Sequence, residues 1–430
     1  MPEASHKAET SELLKLAESL LPAGTMGNFN AGLVIREGRG GRVWDTDGKE
    51  YIDLLLGSGP MMLGHAHPKV TEAVSEQLKR GSTFAANNEF AILLAKEIVA
   101  AVPCAEQVRY VSSGSEADAY AMRLARAYRR KPKILKFEGG YHGMSDYGLM
   151  SIWPNAAANS ERPVPDSGGI PESVRGDMIV APYNDLAATR ELFARYKDEL
   201  AAVIVEPLQR VIPPAPGFLQ GLRDLCDEYD VTLIFDEVVT GFRLAYGGAQ
   251  AYYGVVPDLC TLGKLVGGGY PLAAIAGKAE IMAHLDARKV AREDYLPQIG
   301  TLSGNPIAAI AGLTTLELLR QPGLYDELHA TGEALAEAMR DALTEQGFTV
   351  LILGEPVMFD AVFTAARNIH DYRGMLGIDM AKSTRYASLL GKHGVLKSDN
   401  KAYISVCHKN DLDDARTAFR AAAKDLAIQA

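Results

Sequence analysis

The chain has 430 residues, 47% hydrophobic and 23% charged, a balance that excludes intrinsic disorder, collagen-like sequence and a coiled coil. At roughly 150 residues per domain, that length gives a prior of about three domains. Its 44 basic and 54 acidic residues leave a net charge of −10, which repels phosphate backbones and anionic membranes, so nucleic acid and lipid are poor partners. Cys104, Cys226, Cys260 and Cys407 are far apart and read as reduced thiols. The polar start from Met1 to Glu12, and the lack of any apolar run near the ~20 residues that span a bilayer, give the cytoplasm as the expected location.

In chain order, Leu13, Leu14, Ala17, Leu20 and Leu21 recur at helical spacing until Pro22 stops the pattern. Two short strand-like runs then flank Asp47-Gly48, a hairpin signal. Further strands are predicted at Gln107–Val111, Lys133–Phe137, Ala202–Val205, Val231–Phe235 and Asp258–Leu262, with helices such as Glu116–Arg129 between them. That alternation predicts an α/β layer with parallel pairing. Residues 151 to 177 are rich in Pro, Gly, Ser and Asn without periodicity, the mark of a lid-like loop. After Gln321-Pro-Gly323 come a helix to about Gln346 and short strands near Val350, Met358–Thr364 and Ala402–Cys407. The expected division is 1–64 and 323–430 as two parts of a smaller α+β domain, with 65–322 as the large domain.

Polar residues collect just past the predicted strands, and ligands of open parallel sheets bind outside those carboxyl ends. Ser113-Gly114-Ser115 opens a helix, where free N–H groups, hydroxyls and the helix dipole make a phosphate cup, although the same residues also suit a plain N-cap. Asp236 ends an apolar strand, so its poorly solvated carboxylate calls for a cationic partner, such as a protonated ring nitrogen. Lys264 lies in Thr261-Leu-Gly-Lys-Leu-Val-Gly-Gly-Gly269. Amines in such apolar, glycine-lined surroundings form Schiff bases readily. Tyr141 is placed to stack on a planar ring. His142, His65 and His67 read as structural hydrogen-bonding groups, and no metal site is expected. The P-loop, Rossmann, zincin and serine-hydrolase motifs are all missing.

Together these parts resemble a pyridoxal 5′-phosphate (PLP) enzyme of fold type I. Val205-Glu-Pro207, Phe235-Asp-Glu-Val-Val-Thr-Gly-Phe-Arg243 and Thr261-Leu-Gly-Lys264 resemble the class III aminotransferases. Phe137-Glu-Gly-Gly-Tyr-His-Gly143, Arg243-Leu-Ala-Tyr-Gly-Gly248 and Gly300-Thr-Leu-Ser-Gly-Asn-Pro306 are most similar to its glutamate-1-semialdehyde aminomutase-like members. The resemblance implies Lys264 as the Schiff-base lysine and Asp236 as the partner of the pyridine nitrogen. It implies Val238 on the ring face opposite Tyr141, and Ser113, Gly114 and Ser115 at the phosphate, with His142 among the cofactor-binding residues. It further implies that Thr301 reaches the phosphate of a neighbouring subunit in a homodimer, and that Glu206 and Gln209 lie near the substrate and the cofactor hydroxyl.

Two departures fall on substrate-facing positions. The aminomutase has an arginine after its N-terminal helix, where Gly24-Thr-Met-Gly-Asn-Phe-Asn30 has none. Its Phe-Glu-Ala-Gly-Phe string is here Asp399-Asn-Lys-Ala-Tyr403, which puts Asn400 in place of the glutamate. The expectation is therefore an aminotransferase acting between an amino acid, a β- or aromatic one included, and a keto acid. An isomerase on the same scaffold, either the aminomutase or a racemase, is the alternative. Arg162, Lys397 and Lys401, with Gln209, are the candidates for the substrate.

Overall fold

The computed structural model describes residues 10–27, 32–154 and 163–429. Helix Thr10–Leu20 leads into an antiparallel meander of β1 (Ile35–Arg39), β2 (Arg42–Asp45) and β3 (Glu50–Asp53), the last two joined through Asp47-Gly48. The main sheet follows, built from β4 (Gln107–Val111), β5 (Lys133–Phe137), β6 (Met178–Ala181), β7 (Leu200–Val205), β8 (Thr232–Glu237), β9 (Leu259–Leu262) and β10 (Ala273–Gly277). Its order is β4-β10-β9-β8-β7-β5-β6. This mostly parallel sheet covered by helices is the architecture of fold type I PLP enzymes. The C-terminal part adds β11 (Val350–Glu355), β12 (Met358–Phe363), β13 (Val395–Leu396) and β14 (Ala402–Tyr403), with helices Leu324–Thr344 and Leu412–Ile428. β13 pairs in parallel with β3, so the two ends of the chain share one sheet.

The central strands are buried on both faces, which is why they read as continuous apolar runs. Side chains alternate across the sheet, so Leu233 and Phe235 join one core while Ile234 joins the other. Helix Gly114–Arg129 covers the second face with the small buried side chains Ala117, Ala121 and Ala125. Leu94, Ile98, Phe218 and Leu222 belong to the first. Fully burying each such leucine or phenylalanine stabilises the fold by ~1.5–3 kcal/mol.

Parallel pairing holds for β5 with β6 and β7, β7 with β8, and β8 with β9. It fails at β10, which runs antiparallel to both β9 and β4. The connection is the reason. Only residues 263–272 separate β9 from β10, fewer than the dozen or so that a parallel crossover needs. The chain therefore turns back on itself, and Lys264 rides on that turn in the left-handed backbone region at φ 48°.

Of the aperiodic stretch 151–177, residues 155–162 lie outside the described ones. The rest is tied down: the Ser151 amide donates to the Val164 carbonyl at 2.7 Å, and Ile152 donates to the Asp166 carboxylate. Among the described residues, no helix is long and apolar enough to cross a membrane.

Candidate active site

The carboxyl ends of β4, β5, β7, β8 and β9 meet at one place and deliver the residues expected from the sequence. Asp236, the second-last residue of β8, is 5% exposed. Its carboxylate accepts from the Val238 amide at 3.1 Å and lies 2.8 Å from Nδ1 of His142. The Thr261 hydroxyl, one strand over on β9, is 3.4 Å from its Oδ1. These partners hold Asp236 in one orientation and offset part of the cost of burying a charge.

Val238 shapes a slot. A Cβ built on Gly114 would stand 2.8 Å from its side chain, and one on Gly263 would stand 3.0 Å away. Both positions are glycine because the valine fills their space. Ser113 caps helix Gly114–Arg129 by accepting from the Glu116 amide at 3.3 Å. The Gly114 and Ser115 amides find no partner among the described residues, and they point the positive end of a 16-residue helix into the cleft. The Ser115 hydroxyl accepts from the Met144 amide at 3.2 Å.

The loop after β5 supplies Tyr141, whose amide donates to Glu206 at 2.9 Å. Gln209 donates to the Glu138 carbonyl at 2.8 Å, and its own Oε1 is buried without a partner among the described residues, as is Nε2 of His142. The Lys264 stem passes near Gly59 and Tyr403, from the two ends of the chain. Arg243, wholly buried, fixes that junction by donating to the carbonyls of Gly59, Val357 and Ile404. Burial pushes its guanidinium down to about 10.

The remaining candidates separate. The Lys397 ammonium is taken up in a buried ion pair with Asp360 at 2.6 Å, which removes it from the substrate side. Half-buried Lys401 immediately precedes β14. Desolvation, with Arg210 acting in the same direction, lowers its ammonium to about 8, against the pull of Glu206, Asp236 and Asp360. Arg162 lies outside the described residues. Thr301 sits on an exposed turn lining a separate cleft of about 740 Å³ with Phe84, Arg109 and Ile299, away from Gly114.

Sequence reasoning missed Arg210. Its guanidinium lies 5.6 Å from the ring centres of both Tyr141 and Trp153, and Nε donates to the Gly139 carbonyl at 2.9 Å. One terminal nitrogen is buried without a partner among the described residues. The available signal was a cation four residues after Glu206, directly after Gln209 and ahead of the apolar Val211-Ile-Pro-Pro214. Lys136 was also missed: it is buried inside β5, donates to the Gly140 and Gly148 carbonyls at 2.9 and 3.3 Å, and is pushed down to about 7 by desolvation. It ties the Tyr141 loop to the sheet.

These groups fit PLP: unpartnered amides at a helix end for a phosphate, a slot walled by Val238 for a flat ring, a buried carboxylate for a protonated ring nitrogen and an amine for the aldehyde. Residues 25–395 match the family described as Aminotransferase class-III. The chain belongs to that family, and its cofactor is PLP. It is 44% identical over 400 residues to a glutamate-1-semialdehyde 2,1-aminomutase of Pelotomaculum thermopropionicum, covering 90% of each chain. It is 40% identical over 435 residues to one from Desulforamulus reducens, covering 97% of this chain and 99% of that one. Among solved structures, it superimposes on an omega-transaminase from Sphaerobacter thermophilus with a TM-score of 0.91 at 33% identity, over 97% and 98% of the two chains. A glutamate-1-semialdehyde aminomutase from Pseudomonas aeruginosa PAO1 superimposes at 0.85 and 26% identity, over 97% and 94%.

Proposed function

We propose that this enzyme moves an amino group on and off a substrate whose carboxylate is received by Arg210 and Lys401. On this reading, residues 65–322 carry the cofactor, and 1–64 with 323–430 close over it. PLP bound here supplies an electrophilic carbon and an electron-accepting ring. Asp236 keeps the proton on the ring nitrogen, Tyr141 and Val238 hold the ring flat, and the Lys264 amine carries a proton to and from the reacting carbon. The carrying observation is the buried Arg210 nitrogen beside Tyr141, which has no partner among the described residues. A carboxylate there would satisfy it through a charge-assisted hydrogen bond.

Two reactions share this chemistry. The names of the relatives favour an intramolecular shift, the aminomutase reaction, over the aminotransferase expected from the sequence. In favour of intermolecular transfer in this chain are Asn400 and Lys401 at substrate-facing positions, and the missing arginine after the N-terminal helix. The test is product analysis with glutamate-1-semialdehyde and, separately, with amino acid and keto acid pairs. Aminotransfer predicts aminated keto acid with little 5-aminolevulinate. Efficient isomerisation without any external acceptor would reverse that choice.

Arg210→Gln should raise KM for a carboxylate substrate by roughly 10- to 100-fold, the size of one lost charge-assisted contact. A second, pH-linked effect follows from Lys401. Its lowered ammonium is lost as pH rises through about 8, so KM should climb above that pH. Lys401→Met should start with the higher KM and lack the climb. A flat KM in the wild-type enzyme would count against the role of Lys401.

The phosphate carries nearly two charges, and Gly114 and Ser115 offer few donors. We place Thr301 of a second copy there, because its turn carries Ile299, 91% exposed, beside the exposed Phe84 and Ile92. Mixing Lys264→Ala with Thr301→Ala subunits should restore activity above either parent, since one site of the mixed dimer is complete. Verified exchange without recovery would refute the shared site.

A further inference from the structure

Behind Asp236 lies a second buried carboxyl group. Asp118, in the first turns of helix Gly114–Arg129, is 2% exposed, and its Oδ1 stands 2.6 Å from the Thr261 hydroxyl. That same hydroxyl is 3.4 Å from Oδ1 of Asp236, and Thr261 is wholly buried. No other hydrogen bond reaches the Asp118 side chain among the described residues. Three side chains from one helix and two adjacent strands thus form a closed line, carboxyl, hydroxyl, carboxylate, ending at the group proposed for the ring nitrogen.

We propose that Asp118 is a positioning residue for the cofactor's ring, handing a hydrogen bond through Thr261 to Asp236. Distance alone has the hydroxyl donating to Asp118, the nearer partner at 2.6 Å, rather than to Asp236 at 3.4 Å; the charge of the pair is what reverses it. The Thr261 hydroxyl has one proton. If it points to Asp236, its oxygen is left as an acceptor, and the 2.6 Å contact requires Asp118 to donate. Asp236 has His142 and the Val238 amide to support its charge, whereas Asp118 has only Thr261. Burial and the nearness of Asp236 and Glu206 drive the Asp118 carboxyl well up, while Thr261 and Lys264 oppose that shift. The proton therefore stays on Asp118, and Asp236 keeps its charge together with a third donor. Two ionised carboxylates here would instead repel each other.

This rests on reading Asp236 as the ring-nitrogen partner, and the experiment separates the two ideas. In the cofactor-free protein at neutral pH, the infrared difference between wild type and Asp118→Asn should contain a protonated-carboxyl C=O band belonging to wild type. A difference showing only carboxylate bands would overturn the proposal. In the PLP-loaded protein, Asp118→Asn should keep turnover within about 3-fold, because the amide is neutral and still donates to Thr261. Thr261→Val should cost roughly 10-fold, the loss of one hydrogen bond to a charged group. It should also shift the pH midpoint of the bound cofactor's visible absorption. Adding Asp118→Leu to Thr261→Val should cost little more, since both act along one line. Losses that multiply, or a Thr261→Val enzyme with wild-type absorption, would overturn the relay. Asp236→Asn is the control: if it too leaves absorption and turnover unchanged, the ring-nitrogen assignment itself fails.

Discussion

Lys264→Ala should be inactive, with turnover down by at least about 10⁴-fold, because in the proposed function one side chain supplies both the covalent anchor and the proton carrier. The turn between β9 and β10 makes the position hard to replace. Gly263 must be small because Val238 occupies the space of its Cβ, and a Cβ on Gly268 would lie 2.5 Å from the Ala311 carbonyl oxygen. Those contacts fix the backbone on both sides of the lysine, and so the point from which its stem starts. The variant should still bind cofactor through the helix end and Asp236, but without a covalent link. Steady-state rates and gel filtration with PLP check both halves. Retained turnover would show that another amine does the work.

Asp236→Asn should lower turnover by about 10²- to 10³-fold, the usual cost of removing one preorganised electrostatic partner. An amide is neutral and cannot keep the ring nitrogen protonated, so the ring accepts electrons poorly. The fold should survive, since an amide still accepts from the Val238 amide and meets His142. Cofactor affinity should fall far less than turnover, because the Gly114 and Ser115 amides are untouched. Measuring kcat together with the PLP dissociation constant separates these effects. A parallel collapse of both would mean that Asp236 chiefly builds the pocket.

Much of this site was legible because strand ends are easy to read. Gln107–Val111 and Lys133–Phe137 were predicted to the residue, and the polar groups following the strands come together at their carboxyl ends. β10 was not legible. Ala273-Ala-Ile-Ala-Gly277 carries one β-branched residue, and its strand character comes from pairing on both sides with β4 and β9. Substrate-side residues were the least legible, because their roles depend on contacts between distant segments. Lys397 and Lys401 look alike in sequence, yet Asp360 takes Lys397 into an ion pair, while Lys401 feels the charges of Arg210, Glu206 and Asp236. Nothing in the sequence sets Asp118 apart from its helical neighbours, and only the packing of helix against β9 sets it 2.6 Å from Thr261.

The most direct measurement is borohydride reduction of the PLP-loaded protein, followed by peptide mapping of the fixed cofactor. Visible absorption that bleaches on reduction, with the label on the peptide carrying Lys264, is the predicted result. Label on any other lysine, Lys136 or Lys401 included, would contradict the assignment of this site.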